Sequence, residues 1–305
     1  MRNAFAEILT EMALSDDRLV LLYGDSGNRL FNDMKAAAPD RTINAGISEA
    51  NMTSVAAGLA KRGFRPVTYA ITPFNSSRCY EQIKVDIAYQ NLSAVIVGTG
   101  SGMGYANLGP THHSFEDIAI MRVLPNMQVV HPADSPSLKA LFPKIIASGK
   151  PTYFRIGKKR EPIFYKDGAN DLEIGKIHQL KQGADLAILS TGPLLPNAAA
   201  VAERLEAAGL SVELADCHTI KPLDQEYLLD CAARVKRIVT LEEHSLVGGF
   251  GTAVLEVLGD HGCTTPVLRL GLPDQFLDKM SGQSAARERV GLDVEGILKR
   301  LEAVL

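Results

Sequence analysis

Residues 41–52, with the sequence RTINAGISEANM, predict a short strand that is followed at once by a helix. The strand pattern ends at Ala45, and Ser48 stands at the N-cap position of the helix. Glu49 then falls in the first helical turn, where a carboxylate interacts favourably with the helix dipole. In an open α/β sheet such a junction lies at the carboxyl ends of the strands, where ligands bind. Glu49 is therefore a candidate for ligand binding, with helix stabilisation alone as the simpler alternative.

Strand and helix patterns alternate along the rest of the chain. Residues 19–23, 66–71 and 93–97 are nearly continuous in apolar side chains, which is typical of strands buried on both faces of a parallel sheet. A helix is predicted from residue 77 to residue 90. The glycine-rich residues 98–111 form a long predicted loop, and loops of this length without structure of their own tend to be functional.

A change in composition near residue 160 separates two such blocks. The predicted fold class is α/β, with two consecutive open, mostly parallel, three-layer α/β/α domains over residues 1–165 and 183–305, joined by a linker over residues 166–182. In the second block, strands are predicted at residues 185–191, 211–215 and 237–241, and helices at 196–208, 223–233 and up to about 258.

Charge and composition argue against several classes of protein. The net charge is −3 and there is no long basic run, which argues against a nucleic-acid or membrane-surface partner. No apolar stretch approaches the roughly 20 residues that span a bilayer, and the N-terminal sequence lacks a signal-peptide pattern. The cysteines lack metal-site spacing and predict reduced thiols in the cytoplasm; they are Cys79, Cys217, Cys231 and Cys263.

The adjacent histidines at the end of the glycine-rich loop form a second candidate site. His112 and His113 enter a predicted helix and are followed by Glu116, so a metal site is one interpretation. Adjacent residues on a helix point about 100° apart, however, which makes convergence of these three on one ion difficult. Recognition of a substrate oxygen, or proton transfer, suits a loop histidine better. The glycine spacing in the loop fits neither a dinucleotide fingerprint nor a Walker loop.

Three further side chains each allow two interpretations. Phe74 follows a predicted strand among polar residues, and it is either a stacking platform for a flat ring or a cap on the core. Lys158 begins a basic cluster at a strand end, where it either binds an anion or lies in a solvated linker. Arg2 is either a second anion contact or a mobile terminal residue.

The order of these segments resembles the transketolase family over nearly the whole chain. Residues 46–52 match the pattern G-I-x-E-x-x-M, and Phe74 with residues 78–83 resembles that family's pyrimidine-stacking helix entry. Residues 109–112, GPTH, resemble its substrate-binding histidine loop, and residues 248–251, GGFG, resemble part of its C-terminal domain. The specificity of the match comes from the order and spacing of the motifs together.

The resemblance also defines what is missing. The family holds the diphosphate and Mg²⁺ of thiamine diphosphate through a G-D-G motif and an Asn-bearing segment, whereas residues 24–26 here read GDS and nothing downstream completes the motif. The chain is therefore expected to be the C-terminal half of a split transketolase. An N-terminal transketolase subunit would hold the diphosphate and Mg²⁺. Self-association into a two-fold dimer within a heterotetramer is expected, because the family builds its sites across a dimer.

The resemblance implies that a two-carbon ketol unit passes from a ketose or ketose phosphate to an aldose or aldose phosphate, with thiamine diphosphate as cofactor. Glu49 is expected to hydrogen-bond the ring nitrogen N1′ of the cofactor. His112 is expected to contact the substrate near the reacting carbonyl or hydroxyl, and these two are the expected catalytic residues. The other expected contacts are Phe74, Arg78 and Ile47 to the cofactor, and Lys158, Arg2, Ser26 and Asn107 to the substrate.

Two departures from the family leave the substrate open. Lys158 stands where the family often has an arginine, and a lysine lacks the bidentate fork of a guanidinium. Residues 105–108, YANL, precede Gly109 where sugar transketolases usually have an acidic residue. The alternative functions are a 2-oxoacid dehydrogenase beta subunit, a deoxyxylulose phosphate synthase-like enzyme and, without catalysis, a scaffold or regulatory subunit.

Overall fold

The computed structural model describes residues 1–27, 29–278 and 280–304 of the chain. Within them the strands are β1 (Leu19–Tyr23), β2 (Thr42–Asn44), β3 (Arg65–Ile71), β4 (Val95–Thr99), β5 (Gln128–Val130), β6 (Thr152–Ile156), β7 (His178–Lys181), β8 (Leu186–Ser190), β9 (Val212–Asp216), β10 (Thr219–Lys221), β11 (Arg237–Ser245) and β12 (Val267–Leu272). The α-helices are α1 (Arg2–Ser15), α2 (Asn32–Ala37), α3 (Glu49–Lys61), α4 (Tyr80–Gln82), α5 (Asp117–Arg122), α6 (Ser135–Ser148), α7 (Leu195–Ala207), α8 (Gln225–Arg234), α9 (Phe250–Asp260), α10 (Gln283–Val290) and α11 (Val294–Glu302). None of these helices has both the length and the apolar character that crossing a bilayer requires.

The first sheet is built mainly from the apolar runs of the N-terminal half. Its strand order is β10-β5-β6-β4-β3-β1-β2, and every pair from β5 to β2 is parallel. Strands β1, β4 and β6 are buried at every residue, as expected for a sheet covered by helices on both faces. Because these strands run in the same direction, their carboxyl ends meet at one edge of the sheet.

Strand β10 connects the two halves of the molecule. It lies in the second half of the sequence but pairs antiparallel with β5, with Thr219 opposite Val130. The second sheet has the order β12-β11-β8-β9-β7 and is parallel except for β7. The predicted fold class, two mostly parallel sheets with helices on both sides, is therefore confirmed.

An aromatic cluster fixes the N-terminal helix against the first sheet. The ring of Phe5 in α1 stacks on Tyr69 of β3, with 5.7 Å between centroids, and meets Phe142 of α6 edge to face at 5.3 Å. All three side chains are fully buried, and such pairs stabilise by about 0.5–1.5 kcal/mol beyond their buried area. Phe5 lies one turn beyond Arg2, so Arg2 belongs to the first turn of a helix that is packed against the sheet.

The structure differs locally from the sequence prediction. Residues 77–90 do not form one continuous helix: a 3₁₀ turn (Ser77–Cys79) precedes α4, and a π-helix (Ile83–Ala88) follows it. An apolar pattern indicates a helix without specifying its hydrogen-bond register, so this change is not readable from the sequence. In the predicted linker, residues 166–177 are irregular, whereas the next four form β7 and pair with β9.

Candidate active site at the carboxyl edge of the first sheet

The candidate side chains lie at the carboxyl ends of neighbouring strands in the first sheet, and therefore at one edge of it. Gly24 follows β1, Glu49 follows β2, Phe74 follows β3, the glycine-rich loop follows β4 and Lys158 follows β6. These five strands are adjacent and parallel. The chain also reverses its direction of travel across the sheet here, because β2 and β3 lie on opposite sides of β1. A crevice outside such a reversal is where open α/β sheets bind ligands.

Glu49 is held at this edge as a buried carboxylate. It is the first residue of α3 and is 3 % exposed. Its Oε2 accepts a hydrogen bond of 2.9 Å from Arg78 Nη1. A Cβ at Gly24 would lie 3.3 Å from Glu49 Oε1, so the glycine leaves space for the carboxylate beside β1. Ser48 stands at the N-cap position, but its Oγ donates to the carbonyl of Ala45 and makes no capping hydrogen bond.

Arg78 connects this carboxylate to a pair of rings. Its Cζ lies 4.0 Å from the centroid of the Phe74 ring, which is a cation–π distance. Phe74 meets His112 edge to face, with 5.1 Å between centroids. Because Phe74 is only partly buried, a platform suits it better than a cap on the core. The structure therefore brings together Glu49, Arg78, Phe74 and His112 from three different strand ends.

The two adjacent histidines have different neighbours. His112 Nδ1 lies 2.9 Å from Thr111 Oγ1, whereas His113 is buried and stacks on Phe115 with 5.1 Å between centroids. Helix α5 begins only at Asp117, so neither histidine is helical, contrary to the sequence prediction. Among the residues that the structure describes, no group of three His, Cys, Asp or Glu side chains is arranged to hold a metal ion.

The surroundings of His112 favour the neutral form of its imidazole. Burial lowers its pKa below the ordinary 6.5, and the positive charges of His113, Lys158 and Arg78 lower it further. A neutral imidazole carries one N–H donor and one acceptor nitrogen. At neutral pH His112 is thus equipped to exchange a proton with, or hydrogen-bond, a polar ligand.

Lys158 and Arg2 form a cationic corner beside the histidine loop. Lys158 Nζ lies 3.7 Å from the centroid of the Tyr105 ring, and Arg2 at the start of α1 interacts with the same side chain. Burial lowers the pKa of Lys158, and the charges of Lys159 and Arg2 add to this effect. A cavity of about 200 Å³ is lined here by the first residues of α1 and by residues 158–160. Cations that repel one another in this way are stabilised by an anion.

The remaining predicted contacts occupy different environments. Ser26 Oγ is buried and has no hydrogen-bond partner among the described residues. Ile47 is 79 % exposed between β2 and α3. Asn107 is exposed on the 3₁₀ turn Ala106–Leu108. The roles of these three residues depend on a bound molecule and stay predictions.

Sequence reasoning missed two residues that shape the site. Gly24 gave a usable signal, because a glycine directly after a buried strand often marks a close approach of another group. Tyr105 gave none. Its contact with Lys158 joins the loop after β4 to the end of β6, and no sequence spacing encodes that pairing.

The fold and the site together define an α/β protein that gathers polar and aromatic side chains at a strand-order reversal. Comparisons with known proteins agree with this class. Residues 1–162 match the family model described as "Transketolase, pyrimidine binding domain", and residues 175–297 match "Transketolase, C-terminal domain". The chain belongs to the transketolase family, whose members are thiamine diphosphate-dependent transferases.

Individual relatives support the same assignment. The chain is 37 % identical over 309 residues to a 6-deoxy-6-sulfo-D-fructose transketolase subunit of Clostridium sp. strain MSTE9, covering 100 % of this chain and 94 % of the relative. It is 33 % identical over 300 residues to an apulose-4-phosphate transketolase subunit of Phocaeicola vulgatus, covering 98 % and 95 %. A solved structure described as "Split gene transketolase, inactive beta4 tetramer" matches with a TM-score of 0.88 and 33 % identity, covering 100 % of this chain and 97 % of that one. The predicted family and transferase class are confirmed.

The side chains present fit the ring end of thiamine diphosphate. An aminopyrimidine offers a ring nitrogen and flat faces, and the site offers a buried carboxylate and a partly buried aromatic ring. Arg78 contacts both of these groups, so they lie within the reach of one side chain.

Proposed function

We propose that this chain is the C-terminal subunit of a split, thiamine diphosphate-dependent transketolase. It transfers a two-carbon ketol unit from a ketose or ketose phosphate to an aldose or aldose phosphate. The observation that carries the proposal is the chain of contacts from Glu49 through Arg78 and Phe74 to His112. These contacts bring a carboxylate, an aromatic ring and an imidazole together at one edge of the sheet, which supports acid–base and stacking roles for them.

Each of these side chains has a distinct task in the proposed reaction. Bound thiamine diphosphate supplies the carbon nucleophile and the electron sink for breaking a carbon–carbon bond beside a carbonyl. Glu49 shares a proton with ring nitrogen N1′ from its buried position at the start of α3. Phe74 orients the ring by stacking. Tight orientation of this kind accounts for a large part of the rate in such reactions.

His112 is proposed to interact with the substrate rather than with the cofactor. Its lowered pKa keeps the imidazole neutral at pH 7, so that Nε2 can exchange a proton with a hydroxyl or carbonyl oxygen while Nδ1 interacts with Thr111 Oγ1. A general acid or base whose pKa lies near the working pH speeds proton transfer by about 10²- to 10⁴-fold. His112 is therefore proposed to hold or move the proton at the reacting carbon's oxygen.

The cationic corner of Lys158 and Arg2 is proposed to bind an anionic end group of the substrate. It lies next to the histidine loop through the shared contact with Tyr105. The Clostridium relative is named for a sulfonated fructose and the Phocaeicola relative for a sugar phosphate, and both substrates carry an anionic group. Lysine binds such a group as a point charge rather than as a bidentate fork.

The diphosphate and Mg²⁺ are proposed to lie on an N-terminal partner subunit, in a two-fold heterotetramer. One observation supports this arrangement: the split-gene relative is described as inactive in its beta4 form. Closed point-group symmetry is the commonest arrangement of soluble oligomers.

The proposal is tested by co-expressing this chain with a candidate N-terminal transketolase subunit encoded near it. Ketol transfer is assayed with each chain alone and with both, in each case with and without thiamine diphosphate and Mg²⁺, and the mass of the assembly is measured by light scattering. We expect transfer only when both chains and both cofactors are present. Full transfer by this chain alone would overturn the proposal, and turnover of a 2-oxoacid instead of a ketose would favour the dehydrogenase alternative.

A further inference from the structure

We propose that Glu243, from the second domain, is a positioning residue that fixes the glycine-rich loop and thereby His112. The catalytic role of His112 comes from the proposed function, whereas the contacts between Glu243 and the loop do not depend on it. Glu243 lies near the end of β11 and is 2 % exposed. It is far from the loop in sequence, yet it contacts the loop backbone directly.

Glu243 receives three hydrogen bonds on its side chain. The backbone N–H of Met103, in the middle of the loop, donates to Oε1 at 2.7 Å. Gln283 Nε2 donates to the same oxygen at 2.7 Å, and Arg287 Nε donates to Oε2 at 2.6 Å. The two partners from α10 hold the carboxylate still, so it presents a fixed acceptor to the loop. Charge-assisted hydrogen bonds of this kind are about twice as strong as neutral ones.

The loop is shaped to receive this carboxylate. Gly102 has a φ of +58°, and a Cβ there would lie 2.6 Å from Glu243 Oε1 and 2.7 Å from the Glu243 carbonyl oxygen, so a side chain would force the loop and Glu243 apart. Gly102 also forms an antiparallel bridge with Ser114, on the far side of His112. The Gly102 N–H donates to Ser114 Oγ at 2.7 Å, and the Ser114 N–H donates to the Gly102 carbonyl at 3.1 Å. His112 thus lies in a loop whose two ends are tied together beside Glu243.

The second domain holds further points of the same segment. Met280 N–H donates to the Ala106 carbonyl at 3.0 Å, and Ser245 N–H donates to the Phe115 carbonyl at 2.8 Å. The guanidinium of the fully buried Arg155 donates to the Ser114 carbonyl at 3.1 Å and to the Glu243 carbonyl at 3.0 Å. The segment that carries His112 is therefore held by hydrogen bonds before and after the histidine. Glu243 takes part in this network through its carboxylate and through its carbonyl oxygen.

A merely structural role would make a different prediction from a positioning role. If Glu243 only stabilises the fold, its loss lowers the free energy of unfolding and leaves the turnover of the folded enzyme unchanged. If it positions the loop, its loss frees the loop amides and lowers kcat, because a small misplacement of a reacting group costs about 10²-fold in rate. The neighbouring Glu242 separates the two cases. It is equally buried, but its oxygens accept from the N–H groups of Phe250 and Gly251 at the start of α9, away from the loop.

The experiment uses the two-chain enzyme with Glu243→Ala, Glu243→Gln and Glu242→Ala. Amide hydrogen exchange is measured by mass spectrometry over peptides covering residues 98–116, together with kcat and KM. We expect Glu243→Ala to speed exchange in these peptides by about tenfold and to lower kcat by about tenfold or more, with a smaller change in KM. Glu243→Gln keeps an oxygen that can accept from the Met103 N–H. Its amide exchange over residues 98–116 and its kcat are therefore expected to stay close to the wild-type values. Glu242→Ala is expected to change exchange at the start of α9 alone.

Each outcome decides the proposal. Exchange over residues 98–116 that matches wild type in Glu243→Ala, or faster exchange with an unchanged kcat, would overturn it. The same loop exchange in Glu242→Ala as in Glu243→Ala would also overturn it, because the effect would then be general destabilisation. If Glu243→Ala does not fold, Gln283→Ala removes one hydrogen bond from the same oxygen and is expected to give the same pattern in smaller degree. A failure of the proposed function is seen separately, as absent ketol transfer in the wild-type pair, whereas the exchange readout needs no activity.

Discussion

Arg78 Nη1 donates a hydrogen bond of 2.9 Å to Glu49 Oε2, so the carboxylate proposed to share a proton with the cofactor ring is paired with a cation. The same guanidinium lies 4.0 Å from the centroid of Phe74, the ring proposed to stack on the cofactor. A flat ring that used both groups would compete with Arg78 for both. Arg78 is 44 % exposed at its side chain, which leaves it room to change partners. We therefore expect Arg78 to move when the ring binds, and Glu49 to stay.

Glu49→Gln is expected to abolish turnover and keep the fold. The substitution preserves size, and the ion pair that it removes is partly exposed, so it stabilises the fold by only about 1 kcal/mol or less. Proton sharing at the cofactor ring is lost, and kcat of the two-chain enzyme is expected to fall by about 10²- to 10⁴-fold. Steady-state kinetics and thermal denaturation check the two parts. Glu81→Gln, at an exposed carboxylate three residues after Arg78, is the matched control, and wild-type-like rates in Glu49→Gln would refute the assigned role.

Lys158→Met and Arg2→Met are expected to weaken binding of phosphorylated substrates selectively. Each removes one cation from the corner beside Tyr105. Loss of a charge-assisted hydrogen bond is expected to raise KM for a ketose phosphate by about 10- to 100-fold, with little change for the unphosphorylated ketose. Kinetics with the two substrates, repeated at rising salt, measure the selectivity. Equal losses for both substrates would contradict the anion assignment.

Much of the fold is predictable because buried parallel strands have a distinctive composition. The run at residues 19–23 predicts a strand and forms β1, since each of its side chains is buried. The π-helix at Ile83–Ala88 is not predictable, because apolar periodicity does not record the hydrogen-bond register. Strand β10 also escapes prediction. Its three residues pair with β5 from a distant part of the chain, and so short a segment carries no periodic signal.

The residues of the candidate site also fall into those that the sequence predicts and those that it does not. Glu49, Phe74 and Lys158 follow strands, and the rule that ligands bind at the carboxyl ends of a parallel sheet is enough to select them. Tyr105 and Glu243 act through contacts with segments remote in sequence. Such residues look like ordinary core or surface positions until the fold brings their partners together. Long-range pairing, and not residue type, limits what the sequence reveals about this site.

His112 is expected to set the acidic limb of the pH profile of kcat/KM. Its pKa lies below the ordinary 6.5, first because of burial and then because of neighbouring cations that include Lys158. The imidazole is therefore neutral above pH 6.5 and becomes protonated as the pH falls through the lowered pKa, so kcat/KM is expected to fall there. Lys158→Met removes a positive charge, which raises the pKa of His112 and moves the acidic limb to higher pH.

The measurement uses an unphosphorylated ketose, so that Lys158 does not act through the substrate. Lys159→Met is the matched control, because Lys159 is exposed and is not among the charges that lower the pKa of His112. An acidic limb at the same pH in wild type and in Lys158→Met would show that a group other than His112 controls it. A His112→Asn variant that keeps the limb would lead to the same conclusion.

Asp117→Asn is expected to destabilise the fold strongly, because it leaves the buried Arg155 without its counter-ion. Both side chains are fully buried, and Asp117 accepts 2.6 Å and 3.1 Å hydrogen bonds from the guanidinium. Breaking a buried pair by removing one partner costs about 3–5 kcal/mol. Urea unfolding at pH 7 measures the loss. Asp230→Asn, in an exposed pair with Arg234, is the control and is expected to leave the midpoint nearly unchanged.

The pH dependence of this pair has a defined sign. Burial alone raises the pKa of Asp117, but the charge and hydrogen bonds of Arg155 outweigh it, so the pKa lies below the ordinary 3.8. The unfolded chain therefore binds the proton first as the pH falls. The contribution of the ionised pair is fully present above about pH 4 and is lost as the pH drops through the lowered pKa. The difference in unfolding free energy between wild type and Asp117→Asn is thus expected to be constant from pH 5 to pH 7 and to shrink below pH 4. A difference that grew on acidification would show that Asp117 is protonated in the native state, and that Arg155 is neutralised by another group.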